Sequence, residues 1–222
     1  MHIVGRVALL VCAMLMAHNR EIAQIYTAAV NWWHYDTVRY DPIAWVTVRG
    51  RITSSSVDSL RTDLWLRDAF DAGSSNASIL VFIDSSGGQA VPMYKFLRQR
   101  ARQYRGSSSP KMICVARKAM SAAFDLFQLC DERWVTPDAE LMTHDASFGA
   151  GTKLAEAEQI CAVLETVFSD DAWLNKRIAA RIGISVKTLA ERKDAKWTVR
   201  GGAESVRQGL ADKVVRLTGV LF

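Results

Sequence analysis

Three short, largely apolar runs, residues 43–48 (IAWVTV), 77–83 (ASILVFI) and 111–116 (KMICVA), alternate along the chain with stretches whose apolar residues recur at helical spacing. A strand that is apolar on both faces cannot leave one of them wet, so the pattern requires a parallel sheet covered on both sides. The first helical stretch, 55–70, places Leu60, Leu64, Leu66 and Phe70 inside. In the second, Met93, Leu97, Ala101 and Tyr104 face the core and put Arg98, Arg102 and Arg105 opposite, on a solvated face near a helix C-terminus where the macrodipole favours cations. A long helix over 154–182 ends at Gly183; its stripe of Ala157, Ile160, Cys161, Leu164, Val167 and Phe168 suits either the core or an oligomer contact. Ser185 caps a shorter helix through residue 192. The chain closes with Trp197-Thr198-Val199, a Gly201-Gly202 turn, a helix before Gly209 and a strand over 213–217. The fold class is α/β, a parallel β-sheet with flanking helices, and no internal repeat is present.

A length of 222 residues suits one domain with its own core, and 50% apolar with 23% charged residues excludes collagen-like and disordered classes. The net charge of +5 is too small to imply nucleic-acid binding. Cysteines 12, 114, 130 and 161 contain no C-x-x-C pair, so they read as buried thiols rather than a zinc site or a disulfide framework. Residues 7–17 (VALLVCAMLMA) follow Arg6 and are too short to span a bilayer. They suit a secretory signal or an N-terminal helix packed on a neighbour, with export or association with a bacterial envelope slightly favoured over the cytoplasm. Residues 1–40 are therefore set apart from a catalytic domain over 41–222.

Chemistry concentrates in three places. Of the four histidines only His144 lies outside residues 1–40, and it follows the expected strand 133–136 and the turn Pro137-Asp138. An imidazole near neutral pKa can take a proton and return it within one turnover. Gly87-Gly88 directly follows an apolar strand, so a peptide N–H can approach a developing oxyanion without a Cβ in the way. Ser121 follows the strand 111–116 and opens an apolar helix, where the Ala122 amide could supply a second donor.

The order I-D-S-S-G-G, then M-S-A-A-F, then R-W-V-T-P-D-A-E-L-M-T-H resembles the Clp protease proteolytic subunit, ClpP, within the wider ClpP/crotonase superfamily. The resemblance runs from about residue 43 to 217 and includes the closing G-G-A-E-S-V-R-Q-G-L-A-D-K-V. It implies a β-β-α spiral fold. It also implies Ser121 as nucleophile, His144 as base, and the amides of Gly88 and Ala122 as oxyanion donors. The triad aspartate would be Asp194, 50 residues after His144, although it precedes Trp197 by one residue more than is usual. The residues Ser85-Ser86 before the glycines, and Met120 and Ala122 around the serine, are departures from the family pattern. The resemblance further implies a peptide or unfolded-protein substrate and a homo-oligomer formed through helix 154–168, with 147–152 as its approach. An unfoldase or membrane partner would complete the set, but the arginine-rich helix alters the surface where an unfoldase docks.

The expected activity is serine peptidase chemistry through a Ser-His-Asp triad, without metal or organic cofactor and without nucleic acid. Two alternatives come from other classes. A crotonase-like acyl-CoA enzyme would use paired amides for an enolate or thioester, with the basic helix meeting a CoA phosphate. A catalytically inactive ring or scaffold subunit would keep only the fold. A Ser-Lys dyad using Lys118 or Lys153 is a further variant.

Overall fold

The computed structural model describes residues 35–41, 44–71, 78–103, 110–145 and 157–219; for 68–71 and 157–167 only the backbone is described. The apolar N-terminal segment, Tyr104, Arg105, Lys153 and the 147–152 approach lie outside the described residues. The chain divides into two units, Met1–Thr37 and Val38–Phe222. Among the described residues the strands are β1 (Asp36–Arg39), β2 (Val46–Ile52), β3 (Ser78–Gly88), β4 (Lys111–Met120), β5 (Glu132–Met142), β6 (Thr198–Arg200) and β7 (Lys213–Thr218). The helices are α1 (Ser54–Asp71), α2 (Ala90–Gln103), α3 (Ala122–Gln128), α4 (Ala157–Ile182), α5 (Val186–Asp194) and α6 (Gly202–Arg207).

The sheet order is β1-β7-β5-β4-β3-β2, with β2, β3, β4, β5 and β7 pairing in parallel and short β6 antiparallel to β5. Both faces are covered, by different means. The larger core cluster joins the sheet to helical residues such as Val57, Leu60, Leu64, Met93, Leu97, Phe124, Leu174 and Leu189. The opposite face carries Tyr40, Trp45, Phe82, Val115 and Val215, with no helical residue among the cluster's members. Tyr40 packs edge-on to Trp45 at 5.3 Å between centroids, and Arg49 lies over Phe82 at 5.2 Å. Leu66 departs from the expected core: it is 40% exposed, and Trp65 beside it is 64% exposed. Two residues beyond buried Leu64 is about 200° around a helix, so the two leucines cannot share a face.

The strands run farther than their apolar cores. Beyond each apolar run the register slips at one level of the sheet: Arg49/Arg51 in β2, Ile83/Asp84 in β3 and Ala116/Lys118 in β4. On β5 the last slip takes the partner from Val135 to Glu140, so Pro137 and Asp138 sit within one bulged strand rather than between two. Bulges bend strands and re-aim side chains, and they gather beside functional sites. Arg117 and Asp84 pair across this line at 2.6 Å. Everything beyond it, Gly87, Gly88, Ser121 and His144, lies at the C-terminal ends of parallel strands, where α/β proteins place their chemistry.

Two further links fix the closing segment and the middle of the sheet. Asp212 accepts from the Arg133 backbone at 2.7 Å and from its guanidinium at 2.7 Å, while Arg133 also donates to Gln128 Oε1 at 2.6 Å. Burial alone would raise the Asp212 carboxyl, but these bonds hold it below its ordinary value. Cys114 and Cys130 form a disulfide with Cα atoms 5.9 Å apart, which corrects the expectation of buried thiols for this pair. Sequence spacing could not show it, because the chain between positions 114 and 130, a separation of 16, leaves β4, forms α3 and returns beside it. The closed loop contains Ser121.

Candidate active site

Ser121 stands at the turn from β4 into α3. Its amide donates to the Met142 carbonyl at 2.8 Å, and its own carbonyl accepts from Phe124 at 2.8 Å and Asp125 at 3.2 Å. The strand ladder thus ends and the helix begins on a single residue. The turn demands φ 53° and ψ −127° of Ser121, a left-handed conformation that a non-glycine residue adopts only under constraint. A nucleophile held on such a strand-to-helix turn presents its hydroxyl away from the backbone. Ala122 and Ala123 follow, fully buried, and head the helix, where backbone N–H groups have no carbonyl of a preceding turn to bond.

The glycine pair reaches this turn from the neighbouring strand. A Cβ on Gly87 would sit 2.5 Å from the Met120 carbonyl oxygen, 2.7 Å from the Ser121 Cβ and 3.3 Å from the Ala122 nitrogen, so glycine is obligatory there. On Gly88 it would meet the Ile52 carbonyl oxygen at 2.1 Å. Ser85 holds the approach: its buried hydroxyl donates to the Gly50 carbonyl at 2.6 Å and accepts from the Gly87 amide at 3.1 Å. The Gly87 N–H is therefore engaged. Next in line, Gln89 donates to the Ile52 carbonyl at 2.9 Å.

His144 lies two residues past the end of β5 and is half-buried. Its Nδ1 lies 2.6 Å from the backbone carbonyl of Asp145. A carbonyl only accepts, so in the neutral ring Nδ1 carries the hydrogen and Nε2 keeps a lone pair. No hydrogen bond joins Ser121 to His144 among the described residues. Among the described residues no hydrogen bond or ion pair joins Asp194 to the ring. The aspartate is exposed at the end of α5 and its side chain makes no hydrogen bond or ion pair among the described residues, while its neighbour Lys193 is buried. The peptide abreast of residue 143 belongs to Trp197, whose carbonyl accepts from Thr143 at 3.0 Å and whose ring lies under Arg192 at 4.2 Å. Lys118 faces Glu140 across β4 and β5, with Nζ 4.0 Å from its carboxylate.

Behind Ser121 lies a cluster the sequence did not single out: Tyr94, Asp125, Asp171, Asn175 and Lys193. Burial, with the Asp125 and Asp171 carboxylates nearby, pushes ionisation of the Tyr94 hydroxyl far up. Burial also raises Asp125 to about 7, against the opposing pull of Lys193. The signal that could have found Lys193 is its place four residues after Leu189 on the same helix face. For the Ser85 clamp there was none, since a serine before glycines reads as a turn. Of the α2 arginines singled out from the sequence, Arg98 pairs with buried Asp170 of α4 rather than facing solvent alone, and Arg102 is exposed. Among the described residues no group of three histidine, cysteine or acidic side chains could hold a metal. A family model described as Clp protease matches residues 43–218, most of the chain. No curated protein matches it.

Proposed function

The chain belongs to the Clp protease family, a family of ClpP-like peptidases, and from that premise we propose that it cleaves peptide bonds with Ser121 as nucleophile and His144 as base. Nε2 of His144 takes the hydroxyl proton as Ser121 Oγ attacks the scissile carbonyl carbon. The tetrahedral oxyanion is met by the N–H groups of Gly88 and Ala122. Return of the proton to the leaving amine breaks the C–N bond and leaves an acyl-Ser121 ester. Water, deprotonated by the same imidazole, then releases the acid. Asp194 has no part in this sequence; the Asp145 carbonyl takes over the orienting role at Nδ1. The observation that carries the reading is the strained turn at Ser121 pressed against Gly87, a costly arrangement that packing alone does not call for.

The substrate is a peptide or an unfolded protein chain. Assembly through residues 154–168 is supported by Phe168, which is 63% exposed on α4 and would be covered by a second copy. The disulfide fits an oxidising compartment. A second reading, a non-catalytic ring subunit, draws on the lack of a carboxylate bonded to His144 among the described residues. Fluorophosphonate labelling with peptide mapping separates the two: labelling at Ser121 that is lost in His144→Ala supports the peptidase, and a folded, assembled protein that does not label supports the ring subunit.

A further inference from the structure

Lys193 is 1% exposed although it belongs to the charged stretch Glu191-Arg192-Lys193-Asp194. A buried ammonium is unfavourable unless it is paired and hydrogen-bonded, and apolar residues of similar volume usually stabilise a fold at least as well. Stability therefore gives little reason for a lysine here, yet several elements are arranged around it. From α4, Asn175 Oδ1 accepts from Nζ at 2.8 Å and Asp171 Oδ1 at 3.2 Å. Asp171 is itself held, by the Tyr94 hydroxyl of α2 at 3.2 Å and by Asn175 Nδ2 at 2.7 Å. From α3, one turn past the nucleophile, buried Asp125 lies in the field of the ammonium, with one carboxylate oxygen unbonded.

The remaining contact runs to the active site. Lys193 Nζ stands 3.9 Å from Asp145 Oδ1, and the backbone carbonyl of that same residue accepts from His144 Nδ1 at 2.6 Å. Asp145 has no other side-chain partner among the described residues, and its side chain is 59% exposed. The chain has left β5 by this point, so no sheet ladder holds it.

We propose that Lys193 is a positioning residue that orients His144 by anchoring Asp145, in place of a carboxylate on the imidazole; this rests on the serine peptidase reading. The ammonium, fixed between α4 and α5, holds the Asp145 carboxylate. Its backbone carbonyl then stays aligned with Nδ1, and Nε2 faces the nucleophile's side. An outer partner that fixes an imidazole's tautomer and ring orientation tunes the function of the ring, as the outer partners of metal-bound histidines do.

Two variants and two readouts test this on the full chain. Asp145→Asn keeps the backbone carbonyl, removes the charge that Lys193 holds, and changes an exposed side chain, so the fold is not at risk. Lys193→Met removes the anchor itself. The readouts are the fluorophosphonate labelling rate at Ser121 and the nitrogen-15 resonances of His144, which report the tautomer without any turnover. Asp145→Asn is expected to slow labelling by about fivefold and to lower the population of the Nδ1–H tautomer. Adding Asp145→Asn to Lys193→Met should change nothing further. Wild-type labelling and unchanged His144 resonances in Asp145→Asn overturn the proposal, as does an Asp145→Asn effect that persists undiminished in the Lys193→Met background. Should wild-type Ser121 fail to label, the peptidase reading falls by itself, and the His144 resonances of the two variants still decide the positioning role.

Discussion

The two halves of the candidate site are built in opposite ways. On the nucleophile side, Ser121 is tied by three backbone hydrogen bonds, pressed against Gly87, and enclosed in a loop that the Cys114–Cys130 disulfide closes. On the base side, His144 leaves the sheet, bonds to one backbone carbonyl, and has no bond to the exposed Asp194 among the described residues. Where backbone geometry does the positioning, the arrangement is rigid and sensitive to a single methyl group. Where side chains do it, the arrangement depends on charges several residues apart and changes by degrees.

That contrast orders the expected effects. Ser121→Gly should abolish labelling and peptide cleavage, a fall of at least about 10,000-fold. It should also raise stability by about 1 kcal/mol, because glycine adopts φ 53° without strain; chemical denaturation reads the gain, and a loss would show that the turn is unstrained. Gly87→Ala should cut labelling by about a hundredfold and destabilise by about 2 kcal/mol, since its Cβ meets backbone and the Ser121 Cβ at 2.5–2.7 Å. Wild-type labelling in that variant would remove the rigid half of the comparison.

The buried cluster yields a pH effect of intermediate size. Asp125 is raised from its ordinary 3.8 to about 7, so between those values the folded protein binds a proton the unfolded chain has lost. Stability should therefore fall as pH rises through this window, by on the order of 1 kcal/mol per pH unit at most, and level off above it. Asp125→Asn should remove this slope; thermal melts from pH 4 to 8 check both. The smallest effect belongs to Asp194→Asn, expected within about twofold of wild-type labelling. A loss of a hundredfold or more would mean that Asp194 reaches His144 during catalysis, and would erase the difference between the two halves.

The apolar runs and the order glycine pair, serine, histidine were legible along the chain because each depends on neighbours in sequence. A parallel sheet announces itself through strands that are apolar on both sides, and Ser185 capping α5, with Thr188 N–H donating to its hydroxyl at 3.0 Å, needs only three residues. The bulge level was not legible: Asp84, Arg117 and Pro137 read as strand ends, yet pairing with adjacent strands carries each strand onward. Lys193 was not legible for a similar reason: the resemblance drew attention to Asp194 beside it, and only the packing of α5 on α4 decides which of two adjacent side chains turns inward.

The sequence by itself determined the fold class, the order of the elements and the candidate residues for the proposed chemistry, since periodicity and local turn propensity act over a few residues. The tertiary structure decided the disulfide, the strained turn at Ser121, the side of α5 that is buried and the lysine behind His144. Those outcomes depend on which surfaces meet, and contacts between residues far apart in the chain are fixed only when the sheet and its helices close on one another.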